Sequence, residues 1–143
     1  ACDIRIASEN ASMGMPETGI GVMPGYGGTQ LLSRLLHAGM AKYMIFSGTT
    51  VNASEALQLG LVEKVYPQSV FMEEVEKLAQ GIASRGPVAL KCCKRAIDNG
   101  MGLPLREALE VEIVDYDRVA RSRDAEEGLS AFLEKRKPVF TGT

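Results

Sequence analysis

The chain has 143 residues, 45% of them hydrophobic and 24% charged, with a formal net charge of −2. That is the size and balance of one ordinary globular domain, with apolar material enough for a core and too little positive charge for a nucleic-acid groove. No run reaches the roughly 18–20 apolar residues of a membrane span, and none reads as a secretion signal, so a soluble cytoplasmic protein is expected.

In chain order, Ala1–Ala7 alternates in the manner of a strand over 2–7, and a second extended segment over 11–15 follows the polar turn Ser8-Glu9-Asn10. Beyond Gly28 the pattern turns helical. Leu31, Leu32 and Leu35 predict a helix over 28–37, and Met40, Tyr43 and Met44 a second over 39–47, with Gly39 as the break. Asn52-Ala53-Ser54-Glu55 is an N-cap with a carboxylate three residues on; it predicts a short helix ended by Gly60 and then a strand over 61–66. Segment 69–85 puts Phe71, Val75, Leu78 and Ile82 on one stripe. Pro87 opens a helix with Leu90, Cys93 and Ile97 facing inward, so that Cys92 and Cys93 are expected to be packing residues. Pro104 opens a long helix striped by Leu105, Leu109, Ile113, Tyr116 and Ala120, and Asp124 and Glu127 are spaced to cap the last helix. Stripes usually mean core, yet helices with so few strands beside them need something further to cover, which leaves a subunit or domain interface as a second reading.

The chemistry-bearing feature is Pro16-Glu17 followed by Pro24-Gly25-Tyr26-Gly27-Gly28-Thr29-Gln30. A carboxylate on a short rigid segment, near backbone N–H groups that no side chain obstructs, can hold a water or a substrate proton. The loop lacks the lysine of a P-loop and the third glycine of a dinucleotide fingerprint. Cys2, Cys92 and Cys93 have no metal spacing, and the one histidine, His37, sits at a helix end, where a structural role fits best. No metal is expected. The cluster Lys135-Arg136-Lys137 ahead of Phe140 suits either a solvated helix end or a phosphate contact.

Taken together, Ala1–Ala7, Met15-Pro16-Glu17, Pro24–Gln30, Ser54-Glu55-Ala56 with Gly60-Leu61-Val62, and Ala131–Pro138 resemble the enoyl-CoA hydratase/isomerase (crotonase) family from end to end. The resemblance implies an α/β, ClpP/crotonase-type β-β-α spiral, of which this chain is the C-terminal portion. Residues 1–66 would close the spiral and 67–143 would form a helical trimerisation region, so the chain is predominantly helical. It implies hydration of the 2,3 double bond of an enoyl-CoA thioester, with coenzyme A as part of the substrate and no separate cofactor, in a trimer or a dimer of trimers.

On this likeness Glu17 is the second of two catalytic glutamates, and Gly25 supplies a backbone N–H to the water. Lys135 and Lys137 approach the CoA phosphates, and Phe140 approaches the adenine. The first glutamate and the oxyanion donors would precede residue 1, so the chain alone is expected to be nearly inactive. An isomerase of the same fold, using Glu17 alone, and a non-catalytic acyl-CoA-binding or assembly module stay open. Nucleic-acid binding is disfavoured.

Overall fold

A computed structural model describes residues 2–143, and the chain divides into two units, one running to Lys77 and the other from Leu78 to Thr143. Ala1, which opens the expected strand, lies outside the described residues.

The first unit contains β1 (Ile6–Ser8), β2 (Ser12–Gly14), a 3-10 turn (Glu17–Ile20), α1 (Gly28–Leu35), α2 (Ala38–Ser47), β3 (Thr50–Asn52), α3 (Ala53–Gln58) and β4 (Lys64–Tyr66). The two early strands do not pair with each other. A turn closed by Ala11 N–H donating to the Ser8 carbonyl at 2.9 Å redirects the chain. β1 then pairs parallel with β4, Ile6 facing Lys64, while β2 pairs antiparallel with β3, Met13 facing Val51. Arg5 locks the first pair, donating from Nε to the Leu61 carbonyl at 2.7 Å and pairing with Glu63.

The core beneath is built largely from Ala7, Leu32, Leu36, Met44, Val51, Ala53, Ala56 and Val62, all buried. The alanines let α3 press its backbone close, and Met44 fills the irregular space at 1% exposure. Gly39 is not the helix break; it lies inside α2. The chain leaves α1 at Leu36, which turns extended and buries, while Leu35 stays exposed. His37 caps α2, its Nδ1 accepting the Met40 N–H at 3.2 Å, a structural use of the lone histidine. The Asn52 and Glu55 capping box forms at the start of α3, with bonds of 2.9 and 2.8 Å.

α4 (Phe71–Ala83) carries the division between the units, and its expected stripe of Phe71, Val75, Leu78 and Ile82 is half-buried. The second unit continues with α5 (Pro87–Gly100), α6 (Leu105–Ala120) and α7 (Arg123–Leu133). α5 and α6 form an antiparallel hairpin. The Arg95 guanidinium pairs with buried Asp115, Nε to Oδ2 at 3.0 Å, and Gly100 lies against Ala108.

On α5 and α6 the packed faces differ from those that periodicity predicts. Cys92 is buried and Cys93 exposed, and Ile97 is 64% exposed. On α6 the packed face is Ala108, Val111, Asp115 and Val119, whereas Leu105, Leu109, Ile113, Tyr116 and Ala120 are exposed. Both helices carry two rows at helical spacing. The smaller row, with its buried ion pair, is the one that allows close approach. Asp124 and Glu127 do not cap α7 either: Ser122 does, its Oγ accepting the Ala125 N–H at 3.1 Å. Among the described residues no helix is long and apolar enough to cross a membrane.

Candidate active site

Glu17 opens the 3-10 turn that follows β2 after Met15 and Pro16, and four contacts fix where it stands. Thr18 Oγ1 donates to the Ile45 carbonyl at 2.7 Å, anchoring the turn to α2. Pro16 packs over Gly48, where a Cβ would lie 3.6 Å from the Pro16 Cα. The turn then closes on itself through Gly19 N–H to the Pro16 carbonyl at 2.9 Å and Val22 N–H to the Glu17 carbonyl at 3.3 Å. Within this frame the Glu17 Oε2 is buried and accepts no hydrogen bond among the described residues. A buried carboxylate oxygen without a donor is costly, and such groups concentrate where the missing partner arrives with a substrate.

The glycine loop reaches the same segment through Gly28. Its place at the start of α1 leaves no room for a side chain, since a Cβ would stand 2.8 Å from the Pro24 Cβ and 3.0 Å from the Met15 Sδ. Met15 is two residues from Glu17, so this packing brings the segments bearing Glu17 and Gly25 together. Tyr26 and Gly27 take consecutive left-handed conformations, φ +49° and +86°, and Gly28 N–H closes the turn on the Gly25 carbonyl at 2.8 Å. Gly25 is exposed, with nothing near the position a Cβ would take, and its N–H donates to no protein acceptor among the described residues. The arrangement can therefore offer one carboxylate oxygen and one loop N–H to a small polar molecule.

Lys135, Lys137 and Phe140 belong to the second unit, on a ten-residue strap after α7. Lys135 and Lys137 are exposed and pair with no carboxylate among the described residues. Phe140 is half-buried, its ring against Gly86 and Gly128, 3.6 and 3.5 Å from where their Cβ atoms would be. Arg136, between the lysines, is engaged with Glu127 and Glu134. The supports of Glu17, namely Met15, Thr18, Ile45 and Gly48, are not legible as a set in the sequence because they meet only in the fold.

A separate cavity of about 460 Å³ lies in the first unit and is lined by Cys2, Arg5, Met13, Leu32, Met44 and Val62 among others. It does not include Glu17, and Arg5 is held there by Glu63. Among the described residues no three His, Cys, Asp or Glu side chains converge as metal ligands would.

Residues 1–143 match the family model for enoyl-CoA hydratase/isomerase. The chain belongs to the enoyl-CoA hydratase/isomerase family. It is 45% identical over 142 residues to the "probable enoyl-CoA hydratase 2, mitochondrial" of Arabidopsis thaliana, covering 99% of this chain and 47% of the relative. It is 46% identical over 137 residues to the short-chain-enoyl-CoA hydratase of Clostridium acetobutylicum, covering 96% and 52%. The crystal structure of an enoyl-CoA hydratase from Bacillus anthracis superposes with a TM-score of 0.97 at 44% identity, over 99% of this chain and 55% of that one. The crotonase-like fold is thus shared across the chain, which spans about half the length of the relatives it matches.

Proposed function

We propose that the protein carrying this chain is an enoyl-CoA hydratase, with this chain forming the later half of its fold. The hydratase adds water across the 2,3 double bond of a trans-2-enoyl-CoA to give the 3-hydroxyacyl-CoA. The oxygen of water bonds to C3 and a proton goes to C2, while the thioester oxygen carries enolate charge in between. Two carboxylates suit this exchange, because one side takes a proton from water as another delivers one to carbon.

Glu17 is one of the pair. Its Oε2 lies within a pinned, partly apolar frame, and the Gly25 N–H helps to hold the water. The observation that carries this reading is the buried Glu17 Oε2, without a hydrogen-bond partner among the described residues, on a segment fixed by Thr18 and Pro16. Lys135 and Lys137 contact the phosphates of CoA, and Phe140 fixes the strap that bears them. The exposed row Leu105, Leu109, Ile113 and Tyr116 supports assembly of the helical region into a homo-oligomer. No metal or redox group takes part.

The test is Glu17→Gln in the full-length protein, assayed for crotonyl-CoA hydration. A positioned acid or base is commonly worth about 10²–10⁴ in rate, so a fall of that size is expected. Activity within about threefold of the parent would sink the assignment. A second reading within the fold, an isomerase moving a proton between C2 and C4, is favoured by Glu17 standing as a lone carboxylate on its segment. Assaying the same protein with a 3-enoyl-CoA separates the two.

A further inference from the structure

The strap that follows α7 is held at every few residues. α7 ends in a Schellman motif, with Arg136 N–H donating to the Ala131 carbonyl at 3.0 Å and Lys135 N–H to the Phe132 carbonyl at 3.3 Å. Glu127 then clasps what comes next. Its Oε1 and Oε2 take Arg136 Nη1 and Nη2 at 2.6 and 2.8 Å, a two-pronged pair, and Oε1 also accepts the Val139 N–H at 2.8 Å. Further on, buried Asp124 accepts the N–H groups of Thr141 at 2.7 Å and Gly142 at 3.0 Å, and Phe140 seats between Gly86 and Gly128. The Arg136 guanidinium beside Glu127 holds its carboxyl down at about 2, well below the usual range.

The basic cluster is therefore divided. Arg136 is saturated by Glu127 and by Glu134 at 2.6 Å, while the lysines on either side pair with no carboxylate among the described residues. Lys135 also sits at φ +55°, a left-handed position that glycine usually fills at a helix end. A lysine there also suits the negative end of the helix dipole, but it gives up the glycine that would close α7 with least strain.

We infer that Glu127 is a positioning residue, latching the strap through Arg136 and the Val139 amide so that Lys135 and Lys137 are already in place for the nucleotide phosphates of the thioester's carrier. This rests on the reading that the two lysines contact those phosphates. The physical gain is preorganisation. A loose strap would have to be ordered at the moment of binding, and that cost would subtract from affinity for the phosphate-bearing end of the substrate and not from the reacting end.

The test compares crotonyl-CoA with crotonyl-pantetheine, which lacks the nucleotide phosphates, in the full-length protein and in its Glu127→Gln, Glu127→Asp and Lys135→Ala/Lys137→Ala variants. Glu127→Gln is expected to raise the ratio of KM for the CoA ester to KM for the pantetheine ester by roughly tenfold, with little change in kcat on the CoA ester, and Glu127→Asp to recover part of it. The double lysine variant is expected to raise the same ratio. If Glu127→Gln does not fold, Arg136→Lys, which keeps the charge and loses the fork, gives the same comparison. A raised ratio in the lysine variant with none in the Glu127 variant overturns the latch and leaves the phosphate reading standing. No raised ratio in either removes both. Lower thermal stability with both esters affected equally makes the clasp merely structural and also overturns the inference.

Discussion

The segment around Glu17 and the strap after α7 handle charge in opposite ways. The carboxylates under the strap are saturated: Asp124 holds two tail amides, and Glu127 holds a guanidinium and an amide. Glu17 is just as firmly placed, yet its Oε2 is buried with no donor among the described residues. The same division runs through the cations, with Arg136 engaged by two carboxylates and its lysine neighbours pairing with none among the described residues. Saturated groups are what a scaffold needs. Groups held in place with bonding capacity left over are where a substrate can be received: at Glu17 a burial cost has been accepted without the bond that would offset it, while the exposed lysines, at no burial cost, can meet a charge from outside the chain.

Glu17→Gln breaks this contrast hardest. With the frame left intact, the loss of about 10²–10⁴ in rate should come with an unfolding midpoint that holds or rises, since an unpartnered buried carboxylate is replaced by a neutral group of the same shape. A large drop in stability instead would mean that the oxygen is bonded after all.

Next in size is Gly28→Ala. The added Cβ meets Pro24 at 2.8 Å and Met15 at 3.0 Å. Overpacking of this kind costs about 1–3 kcal/mol and should push the glycine loop off the Glu17 segment. At Gly25, where nothing lies within 4 Å, alanine should leave stability within about 0.5 kcal/mol of the parent. Urea unfolding of both variants checks the pair, and equal costs would show that the loop does not depend on this contact.

The strap can be probed by pH. Glu127 is lowered from 4.5 to about 2, chiefly by its hydrogen bonds with Arg136 and then by the Val139 N–H. A depressed carboxyl contributes stability that is fully present above the unfolded value, near 4.5, and is lost as pH falls toward 2. Proteolysis of the tail by an acid-active protease should therefore stay slow at pH 4 and rise toward pH 2 and below. In Glu127→Gln that pH step should disappear. Release centred at 4.5 in the parent would mean that the pair with Arg136 is not made.

Parts of this contrast are legible in the sequence and parts are not, for one reason throughout. The Asn52–Glu55 capping box is local, three residues from donor to acceptor, and reads directly. Glu17 is legible as a carboxylate ahead of a glycine loop. Its anchoring is not, because Thr18 bonds to Ile45, 27 residues on. Asp124 looks like a cap since it stands in the first turn of a helix, and its real partners lie 17 and 18 residues later. β3 is three residues long, too short to show a period, and exists because β2 pairs with it. On α6 periodicity announces two apolar rows without saying which packs. The choice is made by Ala108 and by the Arg95–Asp115 pair, which belong to the hairpin and not to either helix alone.

The smallest effect is also the sharpest test of spare capacity as a mark of function. Lys135 occupies a left-handed position at φ +55° in a Schellman motif whose hydrogen bonds are otherwise complete. An L-residue there costs roughly 1–2 kcal/mol that glycine avoids, offset in part by glycine's greater freedom in the unfolded chain. Lys135→Gly should therefore stabilise the fold by about 0.5–1 kcal/mol in urea unfolding while raising KM for crotonyl-CoA. A position kept for structure would gain stability and lose nothing, whereas one kept for phosphate binding trades one against the other. Greater stability with unchanged KM would return Lys135 to the scaffold and leave Lys137 as the remaining phosphate contact.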